Sequence, residues 1–142
     1  MNARSVLVTD TGFREDDWAH DLTPLKELAA NDGSPALGVV LEPDADPAAL
    51  RRRLDAIDLI VVKFPSFSDG RGFTIAQRLR LMGYPGRLRA RGHLIADQYA
   101  MARRSGFDEV EISADLAARQ PQQQWRARAN WQAHSYQNRL RG

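Results

Sequence analysis

The run DLIVVKF (residues 58–64), followed at once by PSFSDGRGF (65–73), decides the fold. The first part is apolar, of strand length, and continuous rather than alternating. That pattern predicts a strand covered on both faces. Pro65 ends it, and two serines, Asp69 and two glycines around Arg71 form a loop. A helical pattern then runs over Phe73–Met82 and stops at Gly83. Strand, loop and helix in that order are the repeating unit of a parallel sheet.

The same alternation extends in both directions. Upstream, Ser5–Asp10 reads as a strand and Arg14–Asp21 (REDDWAHD) as an acidic loop. Thr23-Pro24 offers a cap and first-turn proline for a helix over LKELAA. Ala36–Leu41 is the next strand, and Asp46-Pro47 opens a helix through AALRRRLDA, with Leu50, Leu54 and Ile57 on its apolar stripe. Downstream, Gly86–Gly92 is a strand, Ile95–Arg104 a helix stopped by Ser105-Gly106, and Phe107–Ile112 a strand. Residues 114–142 read as a C-terminal helical extension, interrupted near Pro121, that packs on the domain or on a partner. The expectation is a single α/β domain over 1–142: a mainly parallel sheet of about five strands covered by helices. Three layers are expected, with a half-barrel as the alternative.

Composition narrows the chemistry. With no cysteine, disulfides, thiol redox chemistry, a thiolate nucleophile and cysteine-bound iron–sulfur clusters are excluded. No apolar run approaches the ~20 residues of a membrane helix, and the start MNARSVLVTD lacks a secretory pattern, so a cytoplasmic protein is expected. Charge is uneven. Residues 1–70 hold 7 basic and 13 acidic groups, residues 71–142 hold 13 and 5. Arginine supplies 18 of the 20 basic residues, which suits oxyanion recognition but also follows from a GC-rich genome.

Several residues are candidates for a site. Helix-start amides with Arg71 favour an anion at the 65–73 loop. The structural alternative has Asp69 or Ser68 capping the helix, with Gly70 and Gly72 supplying positive φ. No phosphate-loop or dinucleotide spacing is present. Lys63, at its strand's end, can bind an anion or form a Schiff base, or simply be a surface charge. In GRLRARGH (86–93), Arg87, Arg89 and Arg91 share one strand face, which requires acidic partners, an anion or solvent. At that strand's end, His93 leads into Asp97 and Gln98. His20 among Asp16, Asp17 and Asp21 matches no metal spacing, so a solvated acidic loop is expected and no metal or cofactor is assigned. Trp125, Trp131 and Tyr136 among arginines suit packing or protein docking better than nucleic acid, for which no fold motif is present.

Ordered blocks then resemble a known family: FPSFSDGRGF (64–73), GYPGRLRARG (83–92), Asp97-Gln98 and RRSGFDEVEI (103–112). They are similar to the bacterial domain-of-unknown-function family number 934, whose members often bear an oxidoreductase name tied to sulfite reduction. The resemblance implies a link with assimilatory sulfite reduction. Together with the missing cysteines and nucleotide fingerprints, it leads to the expectation of an accessory or partner-binding role, with sulfite reductase or its electron donor as partner and no redox centre of its own. The alternative is a small oxyanion-binding protein or enzyme, with arginines at the carboxyl edge of the sheet. The family pattern also draws attention to Asp69, Arg71, Arg89 and Asp97. His93 and Ala96 stand where many members carry aspartate and arginine, so a charged site here would differ.

Overall fold

The structure, a computed structural model, describes residues 5–30 and 36–131. Seven strands form one mixed sheet: β1 (Ser5–Thr9), β2 (Gly12–Arg14), β3 (Leu22–Pro24), β4 (Gly38–Leu41), β5 (Leu59–Phe64), β6 (Arg87–Gly92) and β7 (Glu109–Ser113). Their order across the sheet is β2-β1-β7-β6-β5-β4-β3. From β3 to β7 every neighbouring pair is parallel. β1 joins β7 antiparallel, and β2 folds back on β1. The helices are α1 (Arg71–Leu81), α2 (Tyr99–Ser105), α3 (Ala114–Arg119) and α4 (Gln122–Arg126).

From β3 to β7, each strand is laid beside its predecessor in the same direction. Right-handed crossovers then place every connecting helix on one face. This is the winding order of a half-barrel, and it corrects the three-layer expectation. The main core lies on the helix side. Val39, Leu41, Ile60, Val62, Phe64, Leu88, Ala90 and Val110 from the sheet meet Ile75, Leu79, Tyr99, Ala102, Leu116 and Trp125 from the helices. The opposite face has a small apolar patch, Val40, Leu59 and Val61, packed by Trp18 and Leu22. So the continuous run of β5 is indeed buried on both faces, but a loop and a side chain cover the second one.

Two expected helices are short 3-10 turns instead. Leu25–Ala30 is one, and AALRRRLDA divides into Pro47–Leu50 and Leu54–Ala56. Asp46 accepts from the Ala48 amide at 3.0 Å and starts the first turn there. Leu50, Leu54 and Ile57 are still buried as their spacing predicted. Strands β2 and β3 are only three residues long and lie outside the sequence reading. In the described part of the C-terminal extension, Leu116 and Trp125 join the core, and residues 132–142 lie outside the described residues. Among the described residues no helix is long and apolar enough to cross a membrane.

Candidate functional site at the carboxyl edge

β5 and β6 end side by side, and the loops that leave them meet. Phe64 is the anchor. It is buried among Phe73 and Phe107, with ring centroids 5.0 and 5.8 Å away. Gly72 lets α1 approach it, since a Cβ there would lie 2.4 Å from the ring. Gly92 ends β6 with φ +124°, and a Cβ there would lie 2.4 Å from the Phe64 carbonyl oxygen. Glycine is therefore required at both positions for different reasons, one steric and one conformational. Gly70 and Gly72 do not have positive φ, which corrects the turn expected there.

The 65–73 loop is held by its own polar groups. The Asp69 amide donates to Ser66 O at 3.2 Å, and the Ser66 and Ser68 hydroxyls are 3.2 Å apart. The Asp69 carboxylate accepts from the Arg71 amide at 3.1 Å, so it satisfies the first N–H of α1. It also holds the Arg71 guanidinium, with Nε at 3.0 Å and Nη2 at 2.7 Å. Arg71 thereby keeps the Asp69 carboxyl below its ordinary range, and Asp69 raises Arg71. Arg71 is largely exposed, so water screens the pair, which shapes the loop more than it stabilises the fold.

The β6–α2 connection is laced to this loop. The His93 amide donates to Phe64 O at 3.1 Å. The His93 ring stands edge-on to Phe67, 5.6 Å between centroids at 82°. Gln98 donates from Nε2 to Phe67 O at 2.9 Å and accepts from the Ile95 amide at 3.0 Å. Asp97 points outward and pairs with Arg128 at 2.6 Å. Phe67 remains 46% exposed, a large aromatic in water on a tethered loop.

Of the residues singled out from sequence, Asp69, Arg71, His93, Asp97 and Gln98 come from these two adjoining loops. Lys63 and Arg89 do not join them, because both point to the helix-free face. Lys63 Nζ lies 2.8 Å from Glu42, the residue after β4. Arg89 is fully buried in mid-strand. Its Nε donates to Glu109 at 2.7 Å and its Nη1 to Glu111 at 3.0 Å, and Asp16 lies 3.2 Å from Nη2. Burial works against this charge, but Glu109 and Asp16 outweigh it and hold the guanidinium above its ordinary pKa. Arg87 shares Glu109 and reaches Asp17 at 2.5 Å, and Arg91 lies 3.4 Å from Glu111. The three-arginine face thus has the acidic partners that burial demands. Those partners, Glu109 and Glu111, were missed in the sequence. Their alternation in EVEIS (109–113) is the signal that matches RLRARG strand to strand.

Phe67 was also missed as a contact residue, although it sits between the two serines of the quoted loop. A hollow of about 520 Å³ lined by Pro24, Leu25, Val40, Glu42 and Ala45 lies at the same edge but nearer β3 and β4. Among the described residues no group of three acidic or histidine side chains is placed to hold a metal, and His20 stacks edge-on with Trp18 at 5.3 Å. No curated protein and no solved structure matches this chain. The model of a family described as bacterial protein of unknown function, DUF934, matches residues 38–142, the span that contains both carboxyl-edge loops, and the chain belongs to that family.

Proposed function

We propose that this chain is an accessory protein of assimilatory sulfite reduction that docks on the reductase or its electron donor and has no redox centre of its own. The tie to sulfite rests on the family resemblance alone. The observation that supports docking is Phe67: an exposed aromatic ring edge-on to His93, on a loop fixed by Gln98 and Asp69 that also carries the exposed Arg71. A rigid aromatic anchor with a neighbouring arginine is the usual make-up of an interface hot spot. Lys63, Arg71, Arg89 and Arg91 are each within ion-pair reach of a carboxylate of this chain, which argues against their waiting for a small oxyanion.

An affinity capture with the chain as bait tests this. Lysate comes from cells of the source organism grown on sulfate as sole sulfur source, and Phe67→Ala and Arg71→Ala serve as controls. Enrichment of sulfite reductase or its donor, reduced in both variants, is the expected result. Absence of both from the wild-type capture overturns the reading. Stoichiometric flavin in the purified protein overturns its no-centre part. A melting temperature raised by millimolar sulfite, sulfate or phosphate would favour the oxyanion alternative instead.

A further inference from the structure

The helix-free face has a feature that the carboxyl-edge loops do not explain. Three buried side-chain nitrogens have no hydrogen-bond acceptor among the described residues: Trp18 Nε1, Arg89 Nη2 and Arg91 Nε. All three are donors and all three belong to this face. Arg89 and Arg91 do have carboxylates at 3.2 and 3.4 Å, but those contacts lack an aligned hydrogen. Unmet buried donors are uncommon in folded proteins, because each loses its hydration without replacement. Two of them, Trp18 Nε1 and Arg89 Nη2, lie where residues 15–21 meet the sheet, and mark a cover that fits imperfectly.

That cover is a peptide. Residues 15–21, EDDWAHD, cross the face with no helix or strand of their own. They bring Asp17 to Arg87 at 2.5 Å and Asp16 to Arg89 at 3.2 Å, and they pack Trp18 on Val40, Leu59 and Val61. Beneath them the register places Lys63 beside Arg91, and Val61 beside Arg89. Lys63 and the three arginines outnumber Glu42, Glu109 and Glu111, so the strip stays net positive until Asp16 and Asp17 lie over it. Parallel sheets usually bury their second face under helices. Here a short acidic strap does so, and two of its contacts are ion pairs in which the strap's carboxylates are 57% and 35% exposed.

We propose that the strip of Arg87, Arg89 and Arg91, with its apolar floor of Val40, Leu59 and Val61, binds an acidic, aromatic-bearing peptide segment of a protein partner, and that residues 15–21 occupy this seat in the free chain. The strap shows what the seat accepts: an extended peptide with adjacent carboxylates and an indole. Its imperfect hydrogen bonding leaves room for a better-fitting segment to displace it. The surface is separate from Phe67, so a failure here leaves the docking loop untouched.

The test uses the full chain and a fluorescein-labelled peptide of sequence REDDWAHD, read by anisotropy. The tethered strap competes at high effective concentration, so the wild type binds the peptide weakly. Asp16→Asn with Asp17→Asn weakens the internal competitor, and binding becomes about tenfold tighter at low salt. Adding Arg87→Ala removes the gain, and an Asn-for-Asp peptide fails to bind. A correctly folded double variant that binds no tighter than wild type overturns the proposal and makes the strap a permanent cover. Amide exchange of the wild type gives a second readout independent of that variant. Residues 15–21 exchange faster than β5, and faster still with saturating peptide. Exchange as slow as in β5, unmoved by peptide, also overturns it.

Discussion

Glu109→Gln removes one negative charge from the most buried ion-pair network described and keeps the side-chain shape. Glu109 is 5% exposed and receives Arg89 Nε at 2.7 Å, Arg87 Nε at 2.8 Å and Arg87 Nη2 at 3.0 Å. Arg87 is partly solvated and can relax toward Asp17. Arg89 is at 0% exposure and cannot reach water. It keeps Glu111 at 3.0 Å, Asp16 at 3.2 Å and, more distant, Asp17 at 4.0 Å. Removing one partner of a buried pair typically costs about 3–5 kcal/mol, and the surviving carboxylates place this case near the lower end, about 3 kcal/mol. An unfolding entropy of about 2.1 cal/mol/K per residue gives the 142-residue chain roughly 0.3 kcal/mol/K, so Tm falls by about 10 °C. Urea unfolding followed by circular dichroism measures this as a lower midpoint at unchanged slope. Adding Arg89→Met removes the stranded cation and recovers part of the loss, because an apolar replacement of a buried pair is often close to neutral. A loss below about 1 kcal/mol for Glu109→Gln alone, against the 3–5 kcal/mol usual for such a break, would refute the claim that Glu109 is what makes Arg89's burial tolerable.

The two glycines of the 65–73 loop separate cleanly. Gly72→Ala forces a methyl into the Phe64 ring and lowers stability by about 1–3 kcal/mol, as overpacking does, whereas Gly70→Ala meets nothing nearer than Phe73 at 3.8 Å and is neutral or slightly stabilising in the same urea assay. Gly92→Ala combines positive φ with a backbone collision at Phe64 O and is the most damaging of the three. For pH dependence, burial acts to raise the Asp10 carboxyl, but hydrogen bonds from Arg103, Tyr99 and Trp131 prevail and lower it. A depressed carboxylate stabilises the fold above its unfolded pKa and loses that contribution as pH falls through its folded pKa. The urea midpoint therefore drops below about pH 4, and Asp10→Asn flattens part of that drop.

Legibility in the sequence followed element length and chemical contrast. The strand, loop and helix around Phe64 were readable because each carries its full period and its stop residue. The arginine face of β6 was readable from alternation alone. The layer count was misread for a specific reason. Leu59 and Val61 are as buried as Ile60 and Val62, but under Trp18 and a coil rather than under a helix. A run of apolar residues records burial, not the identity of what buries it. β2 and β3 span three residues each, too few for any period to show. Within the site, the charged Arg71 is legible as a candidate, yet its guanidinium, though exposed, is already held by its own loop, while the neutral Phe67 is the large apolar side chain exposed there. Charge in a sequence says that a group needs a partner, and only the fold shows that Asp69, two residues away, already is one.

The placement of β1 has a consequence for how the chain matures during synthesis. β3 to β7 can assemble in the order they leave the ribosome, each adding to a neighbour just made. β1 cannot, because Val8 must find Val110 and until then has only the three-pair hairpin with β2. Short isolated hairpins are marginal in water. The N-terminal hairpin is therefore made first but completes its pairing last, whereas the acidic strap runs straight into β3 and can reach Arg87 and Arg89 before β7 brings Glu109 beside them. Until β7 pairs, Arg87 and Arg89 lack Glu109 and the sheet keeps an open edge, the stage at which a chaperone or an acidic partner has the easiest access.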